Sequence, residues 1–90
     1  MLEGNVKVIN RLGLHARASA QLVKAASRFS SKIQLKRIDR DITANAKSIL
    51  SVLTLAAGIG TTLEVKIDGE DEDSAFEEIT RLFSSGFGES

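Results

Sequence analysis

His15 is the only histidine in the chain, and it stands in the run Leu12-Gly13-Leu14-His15-Ala16-Arg17-Ala18-Ser19, where a strand-like segment gives way to a helix-forming one. An imidazole is a nitrogen nucleophile that changes charge near neutrality. The N–H groups of a first helical turn lack intrahelical partners and attract phosphate oxygens. Arg17, in that turn, can offer a planar fork to the same oxygens. A nucleophilic ring, a guanidinium and a helix start so close together suit holding a phosphoryl group on nitrogen. On these residues alone, a loop histidine with no task remains the competing reading.

The composition removes several other chemistries. The chain has 90 residues and no cysteine, tryptophan or tyrosine, so neither a disulfide framework nor a thiolate metal site is available. One histidine also argues against zinc, whose sites combine several nitrogen or sulfur ligands. No metal and no cofactor are expected. Twelve basic and twelve acidic residues cancel, but the first half is the more basic, while residues 64–78 are strongly acidic. Scattered Lys and Arg with only four aromatics, all Phe, offer little of the stacking platform that single-stranded nucleic acid needs. A basic surface facing an acidic protein partner fits better. The N-terminal residues show no basic start followed by an apolar run, and no apolar stretch nears the ~20 residues that span a bilayer. The expectation is a soluble, cytoplasmic protein without membrane insertion, acting as a monomer.

The elements that must position His15 follow from periodicity. Residues 5–10 read as a strand, with Val6 and Val8 on one face. From Ala16 to Phe29 the spacing of Leu22, Ala26 and Phe29 is helical, and Gly13 is read as loosening the connection before it. Residues 32–38 alternate and bury Ile33 and Leu35; Asp39-Arg40-Asp41 turns into a short strand at 42–44. Asn45 is expected to cap a second helix, with Ala46, Lys47 and Ser48 as its first turn, closed at Gly58–Gly60. Residues 62–68 form the cleanest strand. Acidic residues 70–73 then open a last helix carrying Ala75, Phe76, Ile79, Leu82 and Phe83. Residues 86–90 are expected to be a frayed, flexible tail beyond a single domain of residues 1–85. The order β-α-β-β-α-β-α predicts an α+β fold, one antiparallel sheet with helices on one side.

Two segments now stand out together. Residues 12–19, LGLHARAS, resemble the active-site segment of the HPr phosphocarriers of the bacterial phosphoenolpyruvate-dependent phosphotransferase system, and residues 45–52, NAKSILSV, are similar to that family's second signature. The resemblance covers nearly the whole chain and implies an open-faced β-sandwich of four antiparallel strands and three helices. It implies a covalent carrier rather than an enzyme. His15 would take a phosphoryl group from phospho-enzyme I on Nδ1, with Arg17 as the accompanying cation, and pass it to an enzyme IIA component. Ala18 departs from the pattern, since many members carry proline there. Alanine is an excellent helix former, so function is expected to survive.

Ser48 by itself is a serine near a helix start, where serine is common. By resemblance it becomes the candidate for phosphorylation by an HPr kinase, with Ser51 the weaker alternative. Ile49, Leu50 and Leu53 are more apolar than one buried face requires. Core packing accounts for at least one on composition alone, whereas the resemblance makes them a docking patch rimmed by Arg17, Lys24, Arg28 and Lys47. Two related readings accompany the carrier: a nitrogen-type phosphocarrier serving regulation, and a regulator acting mainly through Ser48.

Overall fold

The computed structural model describes residues 1–89. Its strands are β1 (Leu2–Lys7), β2 (Lys32–Arg37), β3 (Ile42–Asn45) and β4 (Thr62–Asp68), and its helices are α1 (Ala16–Ala26), α2 (Ile49–Leu53) and α3 (Glu72–Ser84). Short 3-10 turns span Ile38–Arg40 and Gly86–Gly88. The strands form one sheet in the order β1-β4-β2-β3, with every neighbouring pair antiparallel. This is the four-stranded antiparallel sheet with three helices that the element order predicts.

Strand alternation creates the two layers. Val6, Ile33, Leu35, Ala44, Leu63, Val65 and Ile67 turn inward, and Leu35 lies between Val65 on one side and Ala44 on the other. Leu22, Ala25 and Ala26 from α1, Val52 from α2, and Ala75, Ile79 and Phe83 from α3 cover them. Burying each Leu, Ile or Val side chain contributes about 1.5–3 kcal/mol before the entropy of ordering it. On the outer face, Gln34, Lys36, Thr43, Glu64 and Lys66 are polar, and the Lys66 ammonium lies 3.7 Å from Glu64 and 3.8 Å from Glu3. That face carries no apolar layer.

Several boundaries differ from expectation, each for a physical reason. β1 begins at Leu2, not residue 5, because Gly4 occupies an inward slot that the Phe76 ring fills from across the layer. A pattern search sees no apolar residue there. α1 ends at Ala26, with Ser27 as its cap, rather than at Phe29. The second helix starts at Ile49. Asn45 belongs to β3, and its side-chain oxygen accepts the Lys47 N–H in a local turn, leaving Ser48 as the N-cap. The helix is only five residues long, and the chain just beyond it is held by the inward-facing Arg37. That guanidinium donates to the oxygens of Leu55 and Ala56 at 3.0 and 2.7 Å, and Ala56 turns left-handed (φ 47°).

Residues 86–89 are not a frayed tail. Gly86 and Phe87 are buried, and the Phe87 ring meets Phe83 edge-on at 5.0 Å between centroids. Ser90, the last residue of the expected tail, lies outside the described residues.

One carboxylate ties the start of α3 to the turn between α1 and β2. Asp71, before α3, accepts the backbone N–H groups of Ser30 and Ser31 at 2.9 and 3.0 Å and the Ser31 hydroxyl. The Ser31 hydroxyl, then these N–H groups, hold its pKa down to about 2 against an ordinary 3.8. A depressed carboxylate stabilises the fold fully above the unfolded value and loses that contribution as pH falls through the folded one. Asp71→Ala is therefore expected to melt below wild type at pH 7, with the gap closing between about pH 4 and 2. Thermal melts across that range check it; a gap independent of pH would contradict it.

Candidate functional site

His15 is the N-cap of α1, with extended backbone, and its Nδ1 accepts the Arg17 N–H in a long contact of 3.3 Å. The turn that presents it is held from both sides. The Ser19 hydroxyl donates to the Leu14 carbonyl at 3.0 Å, and the Ser19 N–H donates to that of His15 at 2.8 Å. Gly13 does not loosen this turn; it allows a close approach. Its φ is +68°, and a Cβ there would lie 2.5 Å from the Ala57 oxygen, which accepts the Leu14 N–H at 2.9 Å. Ala18 is fully buried, so the position that departs from the proline pattern is a packing position in the first turn.

The other ring nitrogen has a partner that the sequence did not announce. Nε2 of His15 lies 2.5 Å from the Glu89 carboxylate, and the other oxygen of that carboxylate accepts from the Asn10 amide at 3.0 Å. Asn10 is buried and also donates to the Gly13 carbonyl at 2.7 Å. The Glu89 pKa is lowered, first by the Asn10 amide, next by His15, and further by the charge of Arg17. His15 keeps about a quarter of its side-chain surface open, within a shallow depression shared by Arg11, Leu12, Arg17, Gly88 and Glu89. Two cations, an imidazole and a helix start thus converge on one open hollow. The only local hint of Glu89 was Phe87 between two glycines, an aromatic in a chain with few of them.

The second signature lies on α2. Ser48 is half-buried, and its Oγ accepts the Ser51 N–H at 3.3 Å, while the Ser51 hydroxyl accepts the Asn45 N–H at 2.8 Å. Ile49, Leu50 and Leu53 are exposed to 42%, 79% and 37%, so none of them serves as the core residue of α2; Val52 does, with Leu55 buried just beyond the helix. Leu12 and Ile59, not singled out in the sequence, are also exposed, at 70% and 61%. Of the proposed rim, Arg17 and Lys24 are exposed, whereas the Lys47 ammonium donates to the Phe29 carbonyl at 2.7 Å and Arg28 lies 4.0 Å from Glu78. Among the described residues no cluster suited to a metal occurs, and no helix is long and apolar enough to cross a membrane.

Comparison with known proteins bears on this arrangement directly. A family profile described as "PTS HPr component phosphorylation site" matches residues 2–85. The chain belongs to the HPr family. It is 48% identical over 89 residues to the phosphocarrier protein HPr of Xylella fastidiosa, covering 99% of this chain and 98% of that one. It is 49% identical over 89 residues to the phosphocarrier protein HPr of Treponema pallidum, covering 99% of each. A crystal structure of HPr from Thermoanaerobacter tengcongensis superposes with a TM-score of 0.94 at 36% identity, covering 100% of this chain and 99% of that one. The family therefore spans the HPr-like sheet, both signature segments and the helical layer.

Proposed function

We propose that this HPr-family protein is a cytoplasmic phosphocarrier of the phosphotransferase system, taking a phosphoryl group on His15 from phospho-enzyme I and passing it to an enzyme IIA component. The observation that carries the reading is the placement of Nδ1, which accepts the Arg17 N–H at the start of α1 in a hollow lined by the Arg17 side chain. Phosphoryl transfer needs positioning and charge stabilisation more than covalent machinery. An open hollow with one cation at the helix start and a second from Arg11 supplies both without enclosing the group, as a relay that must release its phosphate requires.

The exposed Ile49, Leu50 and Leu53, with Leu12 nearby in the His15 hollow, would be the apolar contact for both partners. Arg17 and Lys24 would steer acidic surfaces onto it. Ser48 would be the regulatory phosphorylation site. A phosphate there adds roughly −1.5 to −2 charges at the patch and repels those same partners.

Incubation with enzyme I and phosphoenolpyruvate is expected to give an acid-labile, alkali-stable adduct on the intact protein. His15→Ala should reduce it to background. No labelling by any competent enzyme I would overturn the carrier reading. An HPr kinase with ATP should add an acid-stable phosphate that Ser48→Ala removes; full labelling of that variant would move the site to Ser51.

A further inference from the structure

We infer that Glu89 is a positioning residue for phosphoryl transfer at His15: its carboxylate holds the proton on Nε2 and leaves the lone pair on Nδ1. This rests on the carrier reading of His15 given above. Two contacts specify the same tautomer. The carboxylate 2.5 Å from Nε2 is acceptor-only when ionised, so Nε2 must donate. The Arg17 N–H can only donate, so Nδ1 must accept.

The carboxylate is itself held in place. Asn10 donates to one of its oxygens while anchored on the Gly13 carbonyl, and both carbonyl and carboxylate need the amide NH2 group, which settles its orientation. Behind Glu89, Phe87 is pinned against Phe83 in a left-handed backbone conformation (φ 58°). A phenylalanine at positive φ is strained, and packing is what keeps it there. The 3-10 turn Gly86–Gly88 thereby aims Glu89 at the ring rather than into solvent.

The chemistry gives the contact a purpose. As the Nδ1 lone pair forms the new N–P bond, the donor's bond to phosphorus breaks and its electron pair stays with the donor. No proton leaves the ring, so the imidazole acquires positive charge while Nε2–H remains in place. Glu89 faces that charge across a hydrogen bond which strengthens as the charge develops. When the group is passed on, the electrons return to Nδ1 and the ring is neutral again. An interaction stronger in the charged state than in the resting one lowers the barrier instead of only tightening the ground state.

The test combines imidazole 15N NMR of wild type, Glu89→Ala and Glu89→Asp with single-turnover labelling by enzyme I and phosphoenolpyruvate. In the wild type the neutral ring should show a protonated Nε2 and an unprotonated Nδ1. Glu89→Ala should give a mixed tautomer population and label roughly tenfold more slowly, the scale of losing a hydrogen bond to a charged group. Glu89→Asp should recover part of both. An unchanged tautomer in Glu89→Ala, an unchanged rate, or faster labelling would each overturn the assignment, the last by making the segment a shield. The NMR arm needs no partner, so failure of wild type to label at all would count against the carrier reading and leave the tautomer result standing on its own.

Discussion

Gly13→Ala should lose about 2–4 kcal/mol of stability, far more than an ordinary surface substitution. The added methyl would stand 2.5 Å from the Ala57 oxygen and 2.8 Å from the Gly58 Cα, both backbone atoms that no rotamer change can move aside. It would also sit at φ +68°, a conformation that alanine adopts at a cost of roughly 1–2 kcal/mol. Relief requires the 12–15 turn to lift away from residues 57–58, which breaks the Leu14 N–H to Ala57 bond. Urea unfolding measures the loss, and a change below ~0.5 kcal/mol would show that the two loops are not in contact. Because the same turn carries His15 into the helix start, labelling by enzyme I should slow in parallel.

Phe87→Ala is expected to remove about 3 kcal/mol, the scale of truncating a buried phenylalanine. Its ring is only 4% exposed and meets Phe83 edge-on. The left-handed backbone offsets part of the loss, since alanine at φ 58° is strained but the segment is now free to release that strain by detaching. Detachment would carry Glu89 away from His15. Hydrogen exchange should therefore show local opening of residues 86–89 with the strands still protected, and the His15 tautomer should mix as in Glu89→Ala. A Phe87→Ala protein with wild-type stability and an intact Nε2–H would mean the segment is anchored elsewhere.

The sheet was legible because its strands bury one face each. Ile33 and Leu35 in β2, and Leu63, Val65 and Ile67 in β4, alternate without interruption and lie where period-two patterning puts them. The failures have a shared cause. At Gly4 the inward residue is a glycine completed by Phe76, and at Arg37 it is a cation whose partners are carbonyls some eighteen residues on. Both are decisions made across the fold, which no local window contains. The same holds at the site. His15, Arg17 and the helix start lie within one stretch and could be read together, whereas composition left core packing open for at least one of Ile49, Leu50 and Leu53, all of which α2 exposes. Glu89 is 74 residues from His15. Gly-Phe-Gly looks like punctuation until Phe83 is seen to wait for the ring.

That separation sets an order of events during synthesis. Helical turns and neighbouring strands form among nearby residues, whereas the His15–Glu89 pair closes a loop of most of the chain. A nascent protein can therefore have its sheet, its α1 and an exposed histidine before residues 86–89 have left the ribosome. In that interval the imidazole is present without the carboxylate proposed to hold its Nε2 proton. On the proposed role of Glu89, the tautomer suited to phosphoryl exchange is thus selected only when residues 86–89 dock, after the sheet and α1 have formed.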